Sequence, residues 1–159
     1  MLLDTMLAHD RWATNNIINA CGRLTDDQFH RTFEMGLGTL HDTITHILGA
    51  MRGWTDMLRE SEFRPRLEGE RRSQTDLLAL HNDVADEFAQ IARAHPVDAI
   101  AKGSRGGREY AFPRGNVIVH VTTHGMHHRA QCVNMLRHIG INPLPQSSVL
   151  EWMIAQQYG

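Results

Sequence analysis

"GNVIVHVTTHGMHHRAQCVNMLRHIG", residues 115–140, is the longest helical pattern of the sequence and carries four histidines within nine positions. When successive residues are turned by about 100°, its apolar side chains fall on one face; they are Val117, Val121, Cys132, Met135, Leu136 and Ile139. Gly140 is typical of the position just beyond a helix C-terminus, because glycine accepts the left-handed conformation found there. The stretch therefore predicts a long amphipathic helix with a buried face.

Three further segments with helical spacing precede this helix. They cover residues 3–22, residues 39–59 and residues 73–95, and each is bounded by a capping residue, a glycine or a proline. Helices whose apolar faces must be buried against one another form bundles. The sequence therefore predicts an all-α fold, a four-helix bundle that forms a single domain over residues 1–159.

The segments between and after these helices are shorter or irregular. "TDDQ", residues 25–28, has the form of a capping box that opens a short helical turn. Residues 97–115 are rich in glycine and lack a helical period, which predicts an irregular crossover or a small hairpin that turns at "SRGG", residues 104–107. "SSVLEWMIAQQYG", residues 147–159, predicts a short final helix.

Composition argues against several classes of protein. Sixteen basic and eighteen acidic residues give a formal charge of −2, so no overall basic field favours nucleic acid. No run of about 18 apolar residues could span a membrane, and the N-terminal segment lacks the features of a secretory signal. Cys21 and Cys132 lie far apart and form no metal-binding or disulfide pattern. These features predict a cytoplasmic protein with free thiols.

The histidines of the last long helix differ in the side of the helix they occupy. His124 and His128 lie within the apolar stripe, His120 lies at its margin and His127 lies further out. Residues at i and i+4 have Cβ atoms about 5–6 Å apart, so both rings of the inward pair can reach one ion at about 2.0–2.1 Å. The alternative is a pair of core histidines that hydrogen-bond to polar side chains of neighbouring helices.

A third metal ligand would have to come from another helix. The helix at residues 39–59 offers His41 and His46, and both lie outside the centre of its apolar stripe by similar angles, so periodicity does not choose between them. Small residues one turn beyond His46 favour that histidine, because they leave space for a metal and a substrate; they are Gly49, Ala50 and Gly53.

Asp10 occupies the apolar stripe of the first helix, an unusual place for a carboxylate. It could accept a hydrogen bond from the N–H of a metal-bound imidazole, or it could pair with an arginine. The remaining isolated histidines are predicted to be solvated or peripheral; they are His30, His81, His95 and His138.

Sequence motifs of other enzyme classes are missing. No GxSxG, phosphate-binding loop or GxGxxG occurs in a suitable context. "HGMHH", residues 124–128, differs from the HExxH motif of zinc proteases because Gly125 replaces the glutamate that would act as base. Protease activity is therefore not expected.

Three segments of the chain together resemble the DinB-like family of metal-binding four-helix bundles, which is related to the YfiT-like thiol-dependent transferases. They are "LAHDRWATNNIINACGRLTDDQF", residues 7–29, "GTLHDTITHILGAMRGWTDML", residues 38–58, and "HVTTHGMHHRAQCVNMLRHIG", residues 120–140. The first-helix motif of the family keeps only its tryptophan and alanine here, and Met51 replaces a family glutamate. Thr123 and Ala130 depart from the last-helix pattern.

The resemblance implies that His46, His124 and His128 bind a divalent metal ion, zinc or nickel in relatives, and leave coordination positions open. It also implies a low-molecular-weight thiol cofactor, such as mycothiol or bacillithiol, and a transferase or hydrolase acting on a small-molecule substrate that the sequence does not identify. A homodimer is expected on the same ground, with residues 149–159 as a candidate interface or a cap on the protein's own core.

Two other functions compete with the enzyme. One is a non-catalytic, stress-related binding or scaffold protein whose metal braces the bundle, and a fourth protein ligand such as Asp10, His120 or His127 would favour it. The other is a nucleic-acid surface formed by the arginines of residues 63–72 and residues 103–110. The net charge argues against this surface, and solvated loops are the simpler interpretation.

Overall fold

The computed structural model describes residues 2–158, which form a mainly helical protein with one small sheet. The predicted all-α four-helix bundle is confirmed, with the crossover formed by a two-stranded hairpin. The elements are α1 (Leu2–Cys21), α2 (Asp26–Phe29), α3 (Leu40–Leu58), α4 (Gln74–Arg93), β1 (Ile100–Arg105), β2 (Arg108–Pro113), α5 (Arg114–Ile139) and α6 (Val149–Tyr158).

Local side-chain and backbone chemistry sets the ends of the long helices. The hydroxyl of Thr39 accepts a hydrogen bond from the backbone N–H of Asp42, and Ser73 does the same for Asp76. These bonds satisfy N–H groups that have no partner within the helix. At the other end of α5, Gly140 adopts a φ of 92°, which favours glycine.

The four long helices pack so that each contacts two others. Helix α3 lies against α4 and α5, and α1 lies against the same two helices from the opposite side. The core has two parts, one around Met51, Phe88 and Val117 and the other around Ile44 and Met135. The interface between α3 and α5 thereby places the inward side chains of these two helices opposite each other.

A tight turn joins the two antiparallel strands. Arg105 and Arg108 pair across it, and the residues between them, Gly106 and Gly107, have φ values of 57° and 77°. Two consecutive positive φ values are characteristic of a type I′ hairpin turn. Strand β1 packs against α3 and strand β2 against α5, so the hairpin lies beside the interface between those helices.

One prediction about the peripheral histidines is wrong. His81 of α4 is completely buried, and its Nδ1 lies 2.7 Å from Oδ1 of Asn15. Burial lowers the pKa of His81 to about 4, and the positive charge of Arg11 contributes further. His81 is therefore a neutral core residue that joins α4 to α1.

The C-terminal helix lies on the outside of the bundle. Helix α6 contacts α1, where Nε2 of His9 lies 3.0 Å from the carbonyl oxygen of Ser147 just before the helix. None of its described residues is completely buried. Within residues 2–158 no helix combines the length and the apolar character needed to cross a membrane.

Candidate metal centre

Three histidines from two helices meet at the interface between α3 and α5. One ring nitrogen from each of His46, His124 and His128 lies within 4.8 Å of the other two. Nε2 of His46 and Nε2 of His124 are 3.2 Å apart. The ring centroids lie between 4.5 and 5.0 Å from one another. The structure therefore brings together the three histidines that the sequence and the family resemblance indicated.

The spacing of one pair of nitrogens fits coordination of a shared cation. With metal–nitrogen bonds of about 2.0–2.1 Å, the observed separation of 3.2 Å between the Nε2 atoms of His46 and His124 corresponds to an angle of about 100° at the metal. This value lies between the octahedral and tetrahedral angles. These three imidazoles are thus a group that could hold a metal ion.

Two polar side chains lie beside the Nδ1 atoms of His128 and His46. Nδ1 of His128 lies 2.7 Å from Oε1 of Gln131, so it is the protonated nitrogen that donates and its Nε2 carries the free lone pair. Nδ1 of His46 lies 3.5 Å from Oε1 of Glu68, in the loop between α3 and α4. The bond to Gln131 fixes the tautomer of His128, as such partners do for a metal-binding imidazole. Neither partner was identified from the sequence, although Gln131 is one helical turn from His128.

The surroundings of the two α5 rings favour the neutral form that a metal ion requires. Burial lowers the pKa of His124 to about 4, and positive charge on His128 and His46 would lower it further. Burial also lowers the pKa of His128, although its hydrogen bond to Gln131 acts in the opposite direction. At neutral pH both rings of α5 can therefore offer an unprotonated nitrogen.

A cavity of about 440 Å³ opens beside His46 and His124. Gly49, Ala50 and Gly53 line it on the side of α3, as the sequence predicted, and a Cβ atom at Gly53 would meet no atom within 4 Å. The loop after α3 and the tip of the hairpin form the opposite side. Small side chains along α3 thus leave room for a ligand next to the three nitrogens.

Two of the other candidate ligands have different partners. Asp10 accepts a hydrogen bond from Nη1 of Arg129 at 2.6 Å, and both side chains are buried. Asp10 is therefore the partner of an arginine, the second of the two roles that the sequence allowed. His41 is also engaged, because its Nδ1 lies 2.9 Å from Oδ1 of Asp42 and its Nε2 accepts from the backbone N–H of Arg72.

His120 and His127 lie next to the site without joining it. The ring of His120 packs edge-on against Trp54, with 4.8 Å between centroids, and Nε2 of His127 lies 3.2 Å from Nε2 of Gln131. Both histidines are exposed. Among residues 2–158 the cluster of metal-binding groups comprises three side chains, and no fourth protein donor completes it.

Comparisons with known proteins agree with this fold. The sequence matches the DinB family over residues 1–156. The structure is similar to that of a DinB-like protein from Bacillus cereus ATCC 10987, with a TM-score of 0.70, 18% identity and coverage of 89% of this chain and 92% of the other. A DinB-like protein from Bacillus subtilis has a TM-score of 0.64 and 14% identity, with coverage of 90% and 97%. No curated protein matches.

Proposed function

The chain belongs to the DinB family, and on that premise we propose that it binds a divalent metal ion through His46, His124 and His128 and acts as a metal-dependent enzyme. The observation that carries the proposal is the convergence of three imidazole nitrogens within 4.8 Å of one another, beside a cavity of about 440 Å³. Two reactions suit this donor set, transfer of a low-molecular-weight thiol and hydrolysis, each with a small-molecule substrate.

The protein's own part is to hold His124 and His128 neutral and to keep all three rings oriented and accessible. Glu68 and Gln131 face the Nδ1 atoms of His46 and His128 and so direct each Nε2 inward. Zinc or nickel suits these imidazole donors, and when bound it supplies positive charge that acidifies a coordinated thiol or water at neutral pH. Gly53 leaves open the space from which a thiol or substrate would approach.

The number of protein donors favours catalysis over a bracing role. Structural zinc sites are almost always closed by four protein ligands, whereas catalytic sites use three and leave a position for water or substrate. Asp10 pairs with Arg129, and His120 and His127 contact other side chains. The alternative, a non-catalytic stress-related scaffold with a structural metal, lacks the fourth ligand that would support it.

Metal uptake is the first test. Protein stripped with a chelator and titrated calorimetrically with Zn²⁺ or Ni²⁺ should bind one ion per chain. We expect His46→Ala, His124→Ala and His128→Ala each to lower the affinity by at least about 100-fold, more than the loss of a hydrogen-bond partner of a ligand. His127→Ala is the matched control and should bind normally. Unchanged uptake in the triple alanine variant would refute the site.

Activity is the second test. Metal-loaded wild type should be assayed with bacillithiol, mycothiol and glutathione against electrophiles, and separately with hydrolysable esters and amides. Turnover that is present in loaded protein and lost in both apoprotein and His124→Ala would support the enzyme. One bound ion together with no turnover above apoprotein in any assay would favour the scaffold.

The proposal extends to location and assembly. Cys21 and Cys132 are buried free thiols, which supports the reducing cytoplasm as the place of action. The exposed apolar residues of α6 support a homodimer, since such residues on a surface helix mark an interaction site. A charged substitution on this helix would test the assembly.

A further inference from the structure

We propose that the cavity beside the three histidines binds the anionic group of a small molecule, a carboxylate or a phosphate, through Arg52, Arg66 and Arg105. This inference rests on the proposed function and deepens it, because it names the chemical class of the ligand. The three arginines come from three different segments, namely α3, the loop that follows it and the end of β1, and all of them line the cavity that also contains His46 and His124.

The carboxylates of the cavity are already engaged by other groups. Asp56 is buried and binds Arg64, whose Nε and Nη2 lie 2.8 Å and 2.7 Å from its Oδ1. Glu87 forms a second ion pair with Arg64. Glu68 lies against His46. The acidic side chains of the lining therefore neutralise Arg64 and orient a candidate metal ligand, and they leave the other arginines unpaired.

Arg52, Arg66 and Arg105 have no carboxylate within 4.0 Å among the residues that the structure describes. The lining holds four arginines and two acidic residues. Glu87, outside the lining, also pairs with Arg64, so an excess of one positive charge remains even before a metal ion binds. Arginine binds carboxylates and phosphates through paired, charge-assisted hydrogen bonds. An anionic ligand would therefore offset a local excess of charge that residues 2–158 leave uncompensated.

The environment of Arg52 shows this imbalance most clearly. Its side chain is half-buried and donates a hydrogen bond to the carbonyl oxygen of Pro65, which holds it against the loop. Burial lowers the pKa of Arg52 and the charge of the nearby Arg64 lowers it further, whereas the charges of Asp56 and Glu87 act in the opposite direction. A guanidinium that has lost solvent and faces another cation gains more from an anion than a fully solvated arginine does.

Arg105 is held in place by an aromatic ring. Its guanidinium carbon lies 4.7 Å above the centroid of Phe63, a cation–π contact that reduces the number of orientations available to it. Trp54 and Phe63 line both this cavity and a smaller one of about 280 Å³ beneath the hairpin. These rings would contact the carbon skeleton of a ligand whose anionic group lies on the arginines.

The size of the cavity favours a small molecule over a nucleic acid. About 440 Å³ falls within the range of roughly 300–1,000 Å³ that small-molecule sites occupy. The arginines converge on this concave space from three segments, whereas contact with a nucleic-acid backbone uses an extended basic surface. The arginine-rich segments at residues 63–72 and 103–110 thus contribute to one pocket.

The test measures binding of two anions, inorganic phosphate and malonate, by calorimetry to metal-loaded and metal-free protein. Malonamide serves as the uncharged analogue of malonate. We expect at least one of the two anions to bind wild type and malonamide not to bind. The double variant Arg52→Gln/Arg105→Gln should bind that anion about tenfold or more weakly than wild type does. Arg23→Gln/Arg137→Gln removes the same charge from exposed positions and should bind like wild type. Circular dichroism confirms that each variant is folded.

The outcomes separate this proposal from that of the metal site. In one outcome, wild type takes up no metal in the titration and still binds an anion through Arg52 and Arg105. That result would uphold the anion pocket and refute the metal site. Normal metal uptake with no anion binding, or with equal anion affinity in wild type and the double variant, would overturn the anion pocket. Arginine-dependent binding of a single-stranded oligonucleotide without binding of either small anion would overturn it in favour of a nucleic-acid surface.

Discussion

At the scale of single residues, Gln131 is the side chain that connects the candidate site to the rest of α5. Its Oε1 accepts from Nδ1 of His128 at 2.7 Å, and its Nε2 lies 3.2 Å from Nε2 of His127. Loss of such an orienting partner typically lowers metal affinity by about 10- to 100-fold.

We expect Gln131→Leu to lower the affinity for zinc by a factor in that range, measured in a zinc titration with an indicator dye. His127→Ala, which leaves the bond to His128 intact, should keep wild-type affinity, and equal affinities in all three proteins would contradict this role.

His81 makes the stability of the protein depend on pH. Its pKa in the folded state is about 4, against about 6.5 in an unfolded chain. As pH falls from about 6.5 to 4, the unfolded state takes up a proton that the folded state does not, so the free energy of unfolding falls by up to about 3 kcal/mol. In urea unfolding across this pH range, His81→Gln should reduce the loss. His95→Gln, at an exposed position, should follow wild type, and an equally steep loss in His81→Gln would show that other groups cause it.

The sequence identified these residues unequally, for physical reasons. His124 and His128 were assigned from periodicity because they share a face with the buried residues of their own helix. Periodicity does not separate His41 from His46. The choice depends on the loop after α3, which places Glu68 beside His46 and the backbone N–H of Arg72 against His41. The spacing of His81 from its apolar neighbours in α4 is consistent with burial, but its hydrogen-bond partner Asn15 lies on α1 and is visible only in the folded structure.

At the scale of elements, Gly125 shows how a helix interior can depend on a missing side chain. A Cβ atom at this position of α5 would lie 2.8 Å from Nη1 of Arg129 and 2.9 Å from Oδ1 of Asp10. Alanine would favour the helix by about 1 kcal/mol, but displacement of a buried ion pair can cost about 3–5 kcal/mol. We therefore expect Gly125→Ala to destabilise the protein by about 2 kcal/mol or more, measured by urea unfolding.

A second glycine provides the control for this prediction. A Cβ atom at Gly53, inside α3, would meet no atom within 4 Å. Gly53→Ala should therefore stabilise the protein by about 1 kcal/mol through helix propensity alone. If both alanine variants were stabilised equally, the proximity of Asp10 and Arg129 to Gly125 would have no energetic importance.

The elements themselves were largely predictable because their signals are local. The ends of the long helices lie within two residues of the sequence prediction. Capping residues such as Thr39 and Ser73, and the glycine after α5, mark these ends in the sequence. The consecutive glycines Gly106 and Gly107 predict the turn of the hairpin, and both adopt positive φ values. The pairing of Asp10 with Arg129 could not be chosen from sequence, because the two residues lie 119 positions apart and meet only when α1 packs against α5.

At the scale of the whole molecule, the candidate site exists only in the assembled bundle. Helix α3 contributes His46, Arg52 and the small residues of the cavity, and α5 contributes His124 and His128. The loop after α3 contributes Arg66, and the hairpin contributes Arg105. A ligand bound to metal and arginines together would connect these four parts. The same assembly leaves α6 outside, where it contacts α1 and buries none of its residues completely.

The surface of α6 suits contact with a second copy of the chain. Leu150 and Met153 are 65% and 55% exposed, and the single charged residue of the helix, Glu151, is occupied by hydrogen bonds from Ser147 and Ser148. In a dimer with a two-fold axis, the same surface of each copy forms the interface. The proposed homodimer would therefore remove apolar side chains from water without burying an unpaired charge.

A single charge on α6 tests this assembly. We expect wild type to sediment as a dimer and Leu150→Glu to shift the equilibrium toward the monomer, because a dimer would bury two like charges with no partner. Gln156→Glu adds the same charge to an exposed polar position of the same helix and should remain dimeric if the contact is made by the apolar side chains. Sedimentation velocity over a range of protein concentrations measures both equilibria. A monomeric wild type would refute the dimer, whereas a dimer that tolerates glutamate at position 150 would place the contact on another face of the bundle.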